Sequence, residues 1–192
     1  NTADSSIGDS TSATKENSQI AIGLDNKATS VDTVAIGREA ESTKSGAVAM
    51  GARVKAKGDY AVAIGSASQN KTVEAADYAV AVGAMSKANA DRSVAIGGGA
   101  ETTTGASRSV AHGYKANASV ADGVALGSNS KATVDKGVKG FNPAEDRDNK
   151  YGGLAGTAQT STLAAVSVGD GATATRQITG LAAGKEDTDA VN

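Results

Sequence analysis

The chain has 192 residues, of which 39% are hydrophobic but only 3% are aromatic, and it contains no Trp and no Cys. This composition lacks the large residues of an ordinary globular core, and it excludes disulfides and Cys-based metal sites. A net charge of −2 gives no broad basic surface for nucleic acid, and no apolar run approaches the ~20 residues of a membrane helix.

A phrase of the type Val-Ala-Ile-Gly recurs along most of the chain, after a degraded copy at Ser6-Ile7-Gly8. The Gly of the phrase stands at Gly23, Gly37, Gly51, Gly65, Gly83, Gly97, Gly113, Gly127 and Gly169. Most neighbours are 14 residues apart, and the longer gaps indicate insertions near Asn70–Asp77 and Gly105–Arg108. A fixed period of this kind is typical of stacked repeat architectures.

Each repeat contains two short segments in which apolar residues alternate. Val34 and Ile36 share one face of the first segment, and a weaker alternation follows the Gly at Ala40-Glu41-Ser42. A unit of 14 residues has no room for a crossover helix, so it must be one rung of a solenoid. The sequence therefore predicts an all-β fold, a β-roll of parallel strands with two short strands per coil.

The pattern divides the chain into three parts. Residues 1–132 hold the coils, and residues 133–165, which contain the only Phe and the only Pro, break the pattern and are predicted to be a loop insertion. Residues 166–192 restore one coil at Val166–Gly169, with Ala172 and Ala174 as its second strand. The ends of the chain, Asn-Thr and Asp-Ala-Val-Asn, suggest that it is excised from a longer protein.

The alternation along the first strand predicts one set of residues inside the roll and another set in contact with a neighbouring chain. The larger residues of the first strand are predicted to fill the roll: Val34, Ile36, Val48, Met50, Val62, Ile64, Val80, Val82, Val94, Ile96, Val110, Val124 and Leu126. The small residues between them are predicted to pack on a neighbouring copy of the chain: Ala21, Ala35, Ala49, Ala63, Ala81, Ala95, Ala111 and Ala125. Two alternatives remain open, namely drift to Ala in a low-complexity repeat and the reverse assignment, with Ala inside and Val and Ile between chains.

The outward residues of the second strand are predicted to form a solvated face of mixed charge. They are Lys27, Glu41, Lys55, Gln69, Lys87, Glu101, Asn117 and Lys131. No ligand-binding residue can be singled out on this face.

His112, the only His, replaces Ile in its repeat and is therefore predicted to point into the roll, or to the axis of an assembly if the faces are reversed. A structural role bonded to local backbone is favoured over three His residues holding an anion or a metal around a threefold axis. With one His and no Cys, the chain offers no catalytic triad and no zinc site. No catalytic, metal or cofactor residue is predicted.

The repeats resemble the YadA-like head domains of trimeric autotransporter adhesins of Gram-negative bacteria. The family motif is close to Asn-Ser-Val-Ala-Ile-Gly and stands best here as Arg92–Gly97. Asn is absent before most of the motifs, where Tyr60, Tyr78, Arg108 or Asp122 stands instead. The last coil and the residues after it resemble the family's neck, for which Arg176, Ile178, Leu181 and Val191 are the expected residues.

This resemblance implies a homotrimer of left-handed rolls, exposed at the bacterial surface and held by an outer-membrane anchor that lies outside this sequence. It also implies attachment to host cells or to extracellular matrix such as collagen, fibronectin or laminin, or autoagglutination. Two other functions compete with this one: a passive spacer in an adhesin fibre, and a left-handed β-helix acyltransferase. The period of 14 with two strands per coil argues against the acyltransferase, whose coils have three sides.

Overall fold

The computed structural model describes residues 5–7, 18–67, 72–140 and 160–184, with the backbone alone in the first range. Every regular element in these ranges is a β-strand of two or three residues. The first strands of the coils are β1 Ser5–Ile7, β2 Ile20–Ile22, β4 Val34–Ile36, β6 Val48–Met50, β8 Val62–Ile64, β10 Val80–Val82, β12 Val94–Ile96, β14 Val110–His112, β16 Val124–Leu126 and β18 Val166–Ser167. The second strands are β3 Lys27–Ala28, β5 Glu41–Ser42, β7 Val54–Ala56, β9 Val73–Ala75, β11 Lys87–Ala88, β13 Glu101–Thr102, β15 Asn117–Ala118 and β17 Lys131–Ala132.

The strands form two parallel sheets, one from each side of the coils. The first sheet runs in the order β1-β2-β4-β6-β8-β10-β12-β14-β16-β18, and the second sheet pairs β3 through to β17 in the same direction. Equivalent repeat positions face each other throughout, as Ala35 faces Ala49 and Ala81 faces Ala95. The predicted all-β parallel roll with two short strands per coil is confirmed.

The longer repeats keep the same register because their extra residues lie outside the first sheet. Val62 pairs with Val80 and Val94 pairs with Val110, although both gaps exceed 14 residues. In the first case the second strand itself is displaced along the sequence, and Glu74 stands between Lys55 and Lys87 in the ladder. The prediction that Gln69 is the outward residue of this second strand is wrong, because Glu74 occupies that place in the ladder. Gln69 itself lies outside the described ranges.

The two faces of the first strand are the reverse of the main prediction. The Ala column, from Ala21 to Ala125, has no exposed surface within a single chain and forms the core of the roll. The Val, Ile, Met and Leu residues flanking each Ala lie on the outside and are half-buried or exposed. The proposed Ala interface and Val–Ile core are therefore wrong: Ala lies inside the roll, and Val and Ile lie on its outer face.

The reason is the thickness of the roll. Two sheets separated by large side chains pack about 10 Å apart, but the short turns that connect the strands of one coil hold its two walls closer together. Both walls therefore carry small residues, as Ala95 on the first sheet faces the same interior as Ala88 and Thr102 on the second. On the first strands from β2 to β16 the inner position is always Ala, and the branched residues of the core, such as Val54 and Val73, stand on the second strands.

Several polar groups inside the roll form local hydrogen bonds, whereas Asn26 Oδ1 and Ser109 Oγ are buried without a partner. The hydroxyl of Ser93 donates to or accepts from that of Thr102 at 2.7 Å and also contacts the carbonyl oxygen of Ala90. The Thr33 hydroxyl donates to the carbonyl of Ser30, and the Ser42 hydroxyl donates to that of Ala47. Small hydroxyl residues can thus replace Ala inside the roll because the turn carbonyls accept their hydrogen bonds.

Each coil contains a Gly at the end of its first strand because backbones approach closely there. Gly97 has a φ of +128°, and a Cβ atom at this residue would stand 2.6 Å from the carbonyl oxygen of Gly113 in the next coil. The equivalent Gly37 would place a Cβ atom 2.3 Å from the oxygen of Gly51. The stacked glycines therefore set the rise of the solenoid at this edge.

The last coil differs from the expectation. β18 pairs directly with β16, and the arms of the intervening segment run antiparallel, with the bridge Lys139–Thr160 between them. The expected second strand at Ala172 and Ala174 does not form. Instead the chain turns around Asp170, which accepts hydrogen bonds from the backbone N–H groups of residues 172, 173 and 174.

We expect Gly97→Ala to destabilise the roll severely, because the new methyl group meets a carbonyl oxygen as well as an unfavourable φ. Gly105→Ala is the matched control: its φ is +91°, but a Cβ atom there would meet nothing within 4 Å. Conformational strain alone costs about 1–3 kcal/mol, so thermal unfolding should show a substantially larger loss for Gly97→Ala than for Gly105→Ala. Equal losses would contradict the close-approach argument.

Candidate binding surfaces of the roll

The outer face of the first sheet is a continuous apolar strip. Two columns of Val, Ile, Met and Leu run along it from β2 to β18, a length of about 38 Å at ~4.8 Å per strand. Several of its members are strongly exposed in the single chain, among them Ile20 at 39% and Leu126 at 46%. Monomeric proteins rarely expose a contiguous apolar surface of this extent, and such surfaces mark protein interfaces.

His112 lies on this strip and not inside the roll. It pairs in register with Ile96 on one side and Leu126 on the other, and it is exposed in the single chain. The predicted interior position was wrong because the whole face was reversed. On the described part of the strip, His112 is the residue that interrupts an otherwise apolar column.

The outer face of the second sheet is a ladder of alternating charge. From one end to the other its outward residues are Lys27, Glu41, Lys55, Glu74, Lys87, Glu101, Asn117 and Lys131. Lys55 pairs with Glu41 at 3.1 Å, and Lys57 pairs with Glu74 at 2.8 Å. The pKa of Glu74 lies below its ordinary value: burial raises it, but the hydrogen bonds from Lys57 and Thr72 more than compensate.

The edge of the roll that precedes each first strand carries a column of left-handed turn residues. Tyr60, Tyr78, Arg92, Arg108 and Asp122 all have φ between 54° and 61°. This conformation is tolerated best by Gly and Asn, which explains the Asn of the family motif. Here the side chains instead interact with one another across the coils.

The aromatic part of this column is a closed stack. The rings of Tyr60 and Tyr78 lie 5.4 Å apart at an angle of 20°, and the Arg92 guanidinium lies 5.1 Å from the centre of the Tyr78 ring. The outer face of Tyr60 rests on Gly46, where a Cβ atom would come within 2.6 Å of the ring. The stack fixes the two rings, which nevertheless remain 59% and 51% exposed at Tyr60 and Tyr78.

The charged part of the column ends in an ion pair. Arg108 donates two hydrogen bonds to the Asp122 carboxylate, at 2.6 and 2.9 Å. The hydrogen bonds from Arg108 hold the pKa of Asp122 below its ordinary value, and the same contact raises that of Arg108. Because the pair is exposed, its contribution to folding is small, and its main effect is to fix the two side chains.

The segment after β18 packs on the end of the roll through Arg176. Its guanidinium donates to the Ser130 hydroxyl at 2.9 Å and to the carbonyl oxygens of Val168 and Ser128. Ile178, by contrast, is 60% exposed, and Leu181 is partly buried. The fourth expected neck residue, Val191, lies outside the described ranges.

The Asp170 turn closes this end of the roll. Its carboxylate accepts three backbone N–H bonds and one from the Thr173 hydroxyl, and these bonds place its pKa far below the ordinary value. Lys131 of the charged ladder lies 4.0 Å from the same carboxylate. Asp170 stands between the two strands predicted for the last coil, and the repeat pattern does not indicate that its carboxylate organises a turn.

Within the described ranges, no group of three or more His, Asp or Glu side chains is placed to hold a metal ion. None of the elements described there is a helix with the length and hydropathy needed to cross a membrane. The candidate sites are therefore the surfaces described above.

The fold and its repeat define a β-roll solenoid with one apolar and one charged face. The family model for the YadA head domain repeat matches residues 20–40, 42–68, 75–100 and 106–132. These ranges make up more than half of the chain, and the chain belongs to the YadA head family.

Two relatives show how far this similarity extends. The chain is 45% identical over 87 residues to the autotransporter adhesin BadA of Bartonella henselae, a match that covers 45% of this chain and 2% of that protein. The collagen-binding domain of the Yersinia adhesin YadA has 26% sequence identity and a TM-score of 0.49, covering 92% of this chain and 71% of that one. The chain thus spans only a small part of the length of the curated relative.

Replacing Asp170 by Ala should open the end turn, because three backbone N–H groups lose their acceptor. Hydrogen exchange should show the amides of residues 172–174 losing protection, with little change in the melting temperature. Because the folded pKa is depressed, the carboxylate's contribution is complete above its unfolded value near 3.8 and is lost as the pH falls below that.

The control is Asp122→Ala, which removes an exposed ion pair instead of a turn acceptor. It should leave the amides of residues 172–174 protected. Unchanged protection in the Asp170 variant would contradict its role in closing the turn.

Proposed function

We propose that the chain is the head of a homotrimeric surface adhesin, built from left-handed rolls, that attaches bacteria to host matrix or cells without catalysis. The observation that carries the proposal is the apolar strip on the first sheet, which one chain leaves uncovered. Three strips closed around an axis would bury one another, which is a common cyclic solution for identical chains. The charged ladders would then face outwards.

The partner class is the one the family resemblance implies: collagen, fibronectin or laminin of the extracellular matrix, another host-cell surface, or other heads in autoagglutination. The support from the chain is a repeated outer surface without a deep dominant site. Three copies of this surface on one particle raise avidity without new contacts. A passive spacer remains the second candidate, because a regular ladder also suits a rigid stalk element.

In the proposed arrangement, each of the three parts of the chain has a structural role. Residues 1–132 form the roll, residues 133–165 an insertion, and residues 166–192 the last coil and a neck that leads to a coiled-coil stalk. The apolar strip continues to Val166, which is 65% exposed. In the proposed trimer, the contact between the three strips therefore extends from the roll to the start of the neck. In this proposal the head is exposed at the bacterial surface and held there by an outer-membrane anchor.

Ile96→Asn tests the trimer, since it places a polar group at the centre of the strip. Burying an Ile side chain is worth about 1.5–3 kcal/mol, and the substitution removes this in each chain. Light scattering should show the trimer dissociating at concentrations where the wild type remains assembled, while circular dichroism shows that the strands persist. A wild-type monomer would contradict the proposal.

Ala95→Leu is the matched change on the opposite face of the same strand. Ala95 is fully buried inside the roll, so overpacking there should cost about 1–3 kcal/mol or more of roll stability, and loss of the strand signal should accompany any dissociation. The converse change, His112→Ile, completes the apolar column and should raise the melting temperature of the assembly.

Matrix binding is tested with purified trimers on surfaces coated with collagen, fibronectin or laminin. Deleting residues 38–51 joins Gly37 to Ala52 and removes one coil in frame, and deleting residues 24–51 removes two. Binding by a distributed surface should fall stepwise with each deletion. If none of the coated surfaces retains the wild-type trimer, attachment to these matrix proteins is wrong. Complete loss from a single outward substitution would contradict the distributed surface.

A further inference from the structure

The roll has a notch in the coil of β12. It lies at the turn that follows the first strand of this coil. At this turn the neighbouring coils carry side chains in the two positions after the repeat Gly, for example Tyr114 and Lys115 in the coil above. In the coil of β12 both positions are Gly, at Gly98 and Gly99. The missing side chains leave a cavity of about 620 Å³ between the coils above and below.

The upper wall of the notch is aromatic and cationic. Tyr114 is 54% exposed, and its ring edge reaches back to within 3.5 Å of the point where a Cβ atom on Gly98 would lie. The Lys115 ammonium lies 5.1 Å from the centre of the Tyr114 ring. Met85 in the coil below adds a flexible apolar wall to the same cavity.

The back of the notch is formed by the charged ladder. Lys87 and Glu101, which are neighbours in the second sheet, both line the cavity. Asn89 donates a hydrogen bond of 3.2 Å to Glu101 and holds this carboxylate. Within the described ranges neither Lys87 nor Lys115 forms an ion pair within 4 Å. Lys87 stands between Glu101 and Glu74 in the ladder, but Glu74 pairs with Lys57 and does not line the cavity. The two ammonium groups of the lining therefore share one carboxylate there, that of Glu101.

We propose that this notch binds a carboxylated sugar ring of an acidic glycan. The ligand's carboxylate would meet the Lys87 and Lys115 ammonium groups, its hydroxyls would donate to Glu101, and its C–H face would lie on Tyr114 and Met85. A neutral sugar would form no ion pair with the two ammonium groups. A small inorganic anion would have no apolar surface to pack against Tyr114 and Met85.

The size of the notch supports a small ligand. Its volume falls within the range of sites that hold small molecules, and its lining comes from a few neighbouring coils around β12. A folded protein partner needs about 800 Å² of complementary surface on each side, far more than the notch itself offers. None of its lining residues belongs to the apolar strip.

The test uses the wild-type protein with methyl β-glucuronide and, as the neutral match, methyl β-glucoside. Saturation-transfer NMR and calorimetry should show weak, salt-sensitive binding of the glucuronide, about tenfold tighter than the glucoside, because a charge-assisted contact is lost in the neutral sugar. Lys115→Gln should weaken glucuronide binding by a similar factor. Equal binding of the two sugars, or none of the glucuronide, would overturn the proposal.

Gly98→Leu fills the notch without backbone strain, because φ at Gly98 is not in the left-handed region and Leu24 occupies the equivalent position in another coil. It should abolish glucuronide binding, whereas the matched variant Ser128→Leu, at the same turn position two coils on, should not. Retained binding in Gly98→Leu would place the ligand elsewhere. If an Asp-rich peptide binds in a Gly98-dependent way and the glucuronide does not, the notch is a peptide site and the sugar assignment is wrong.

Discussion

The small separation of the two sheets is the constraint on which this structure depends. Because a short turn joins the strands of each coil, the interior holds mostly Ala, Ser and Thr with an occasional Val, apart from Gln19 and Asn26 near the first coils. Gly is required where the backbones of successive coils meet. The larger apolar residues of every first strand are therefore displaced to the outside. A single roll buries its small residues and leaves its large ones uncovered, so an extended apolar surface follows directly from the thickness of the core.

This constraint also explains how much the sequence could predict. The period of 14 and the alternation of apolar residues were sufficient for the parallel roll, the two strands per coil and the outward charge of Lys55 and Glu101. The sequence does not determine which face of the first strand lies inside the roll. Alternation shows that Ala95 and Ile96 lie on opposite faces, but it does not show which of the two faces is buried. The distance between the sheets decides that, and it is a property of the turns.

The errors at particular residues have equally local causes. Gln69 stands at the usual distance from its Gly, but the extra residues of this repeat precede the second strand, and Glu74 occupies the ladder position. Ala172 and Ala174 match the small residues of a second strand, but the Asp170 carboxylate binds the N–H groups that a strand would need. The Tyr60–Tyr78–Arg92 stack could not be foreseen as a unit, because its members lie a whole coil apart in sequence.

The alternating charge of the second sheet has a consequence for how the chain finds its fold. Coils of nearly identical sequence can pair with the wrong neighbour, since Val-Ala-Ile-Gly fits any other copy equally well. Skipping one coil would bring Lys27 beside Lys55, or Glu41 beside Glu74, and like charges directly opposite each other in a sheet are unfavourable. The alternating charges therefore disfavour any pairing that skips one coil. The apolar strip and the core are nearly the same in every coil, so they do not distinguish the correct neighbour from a wrong one.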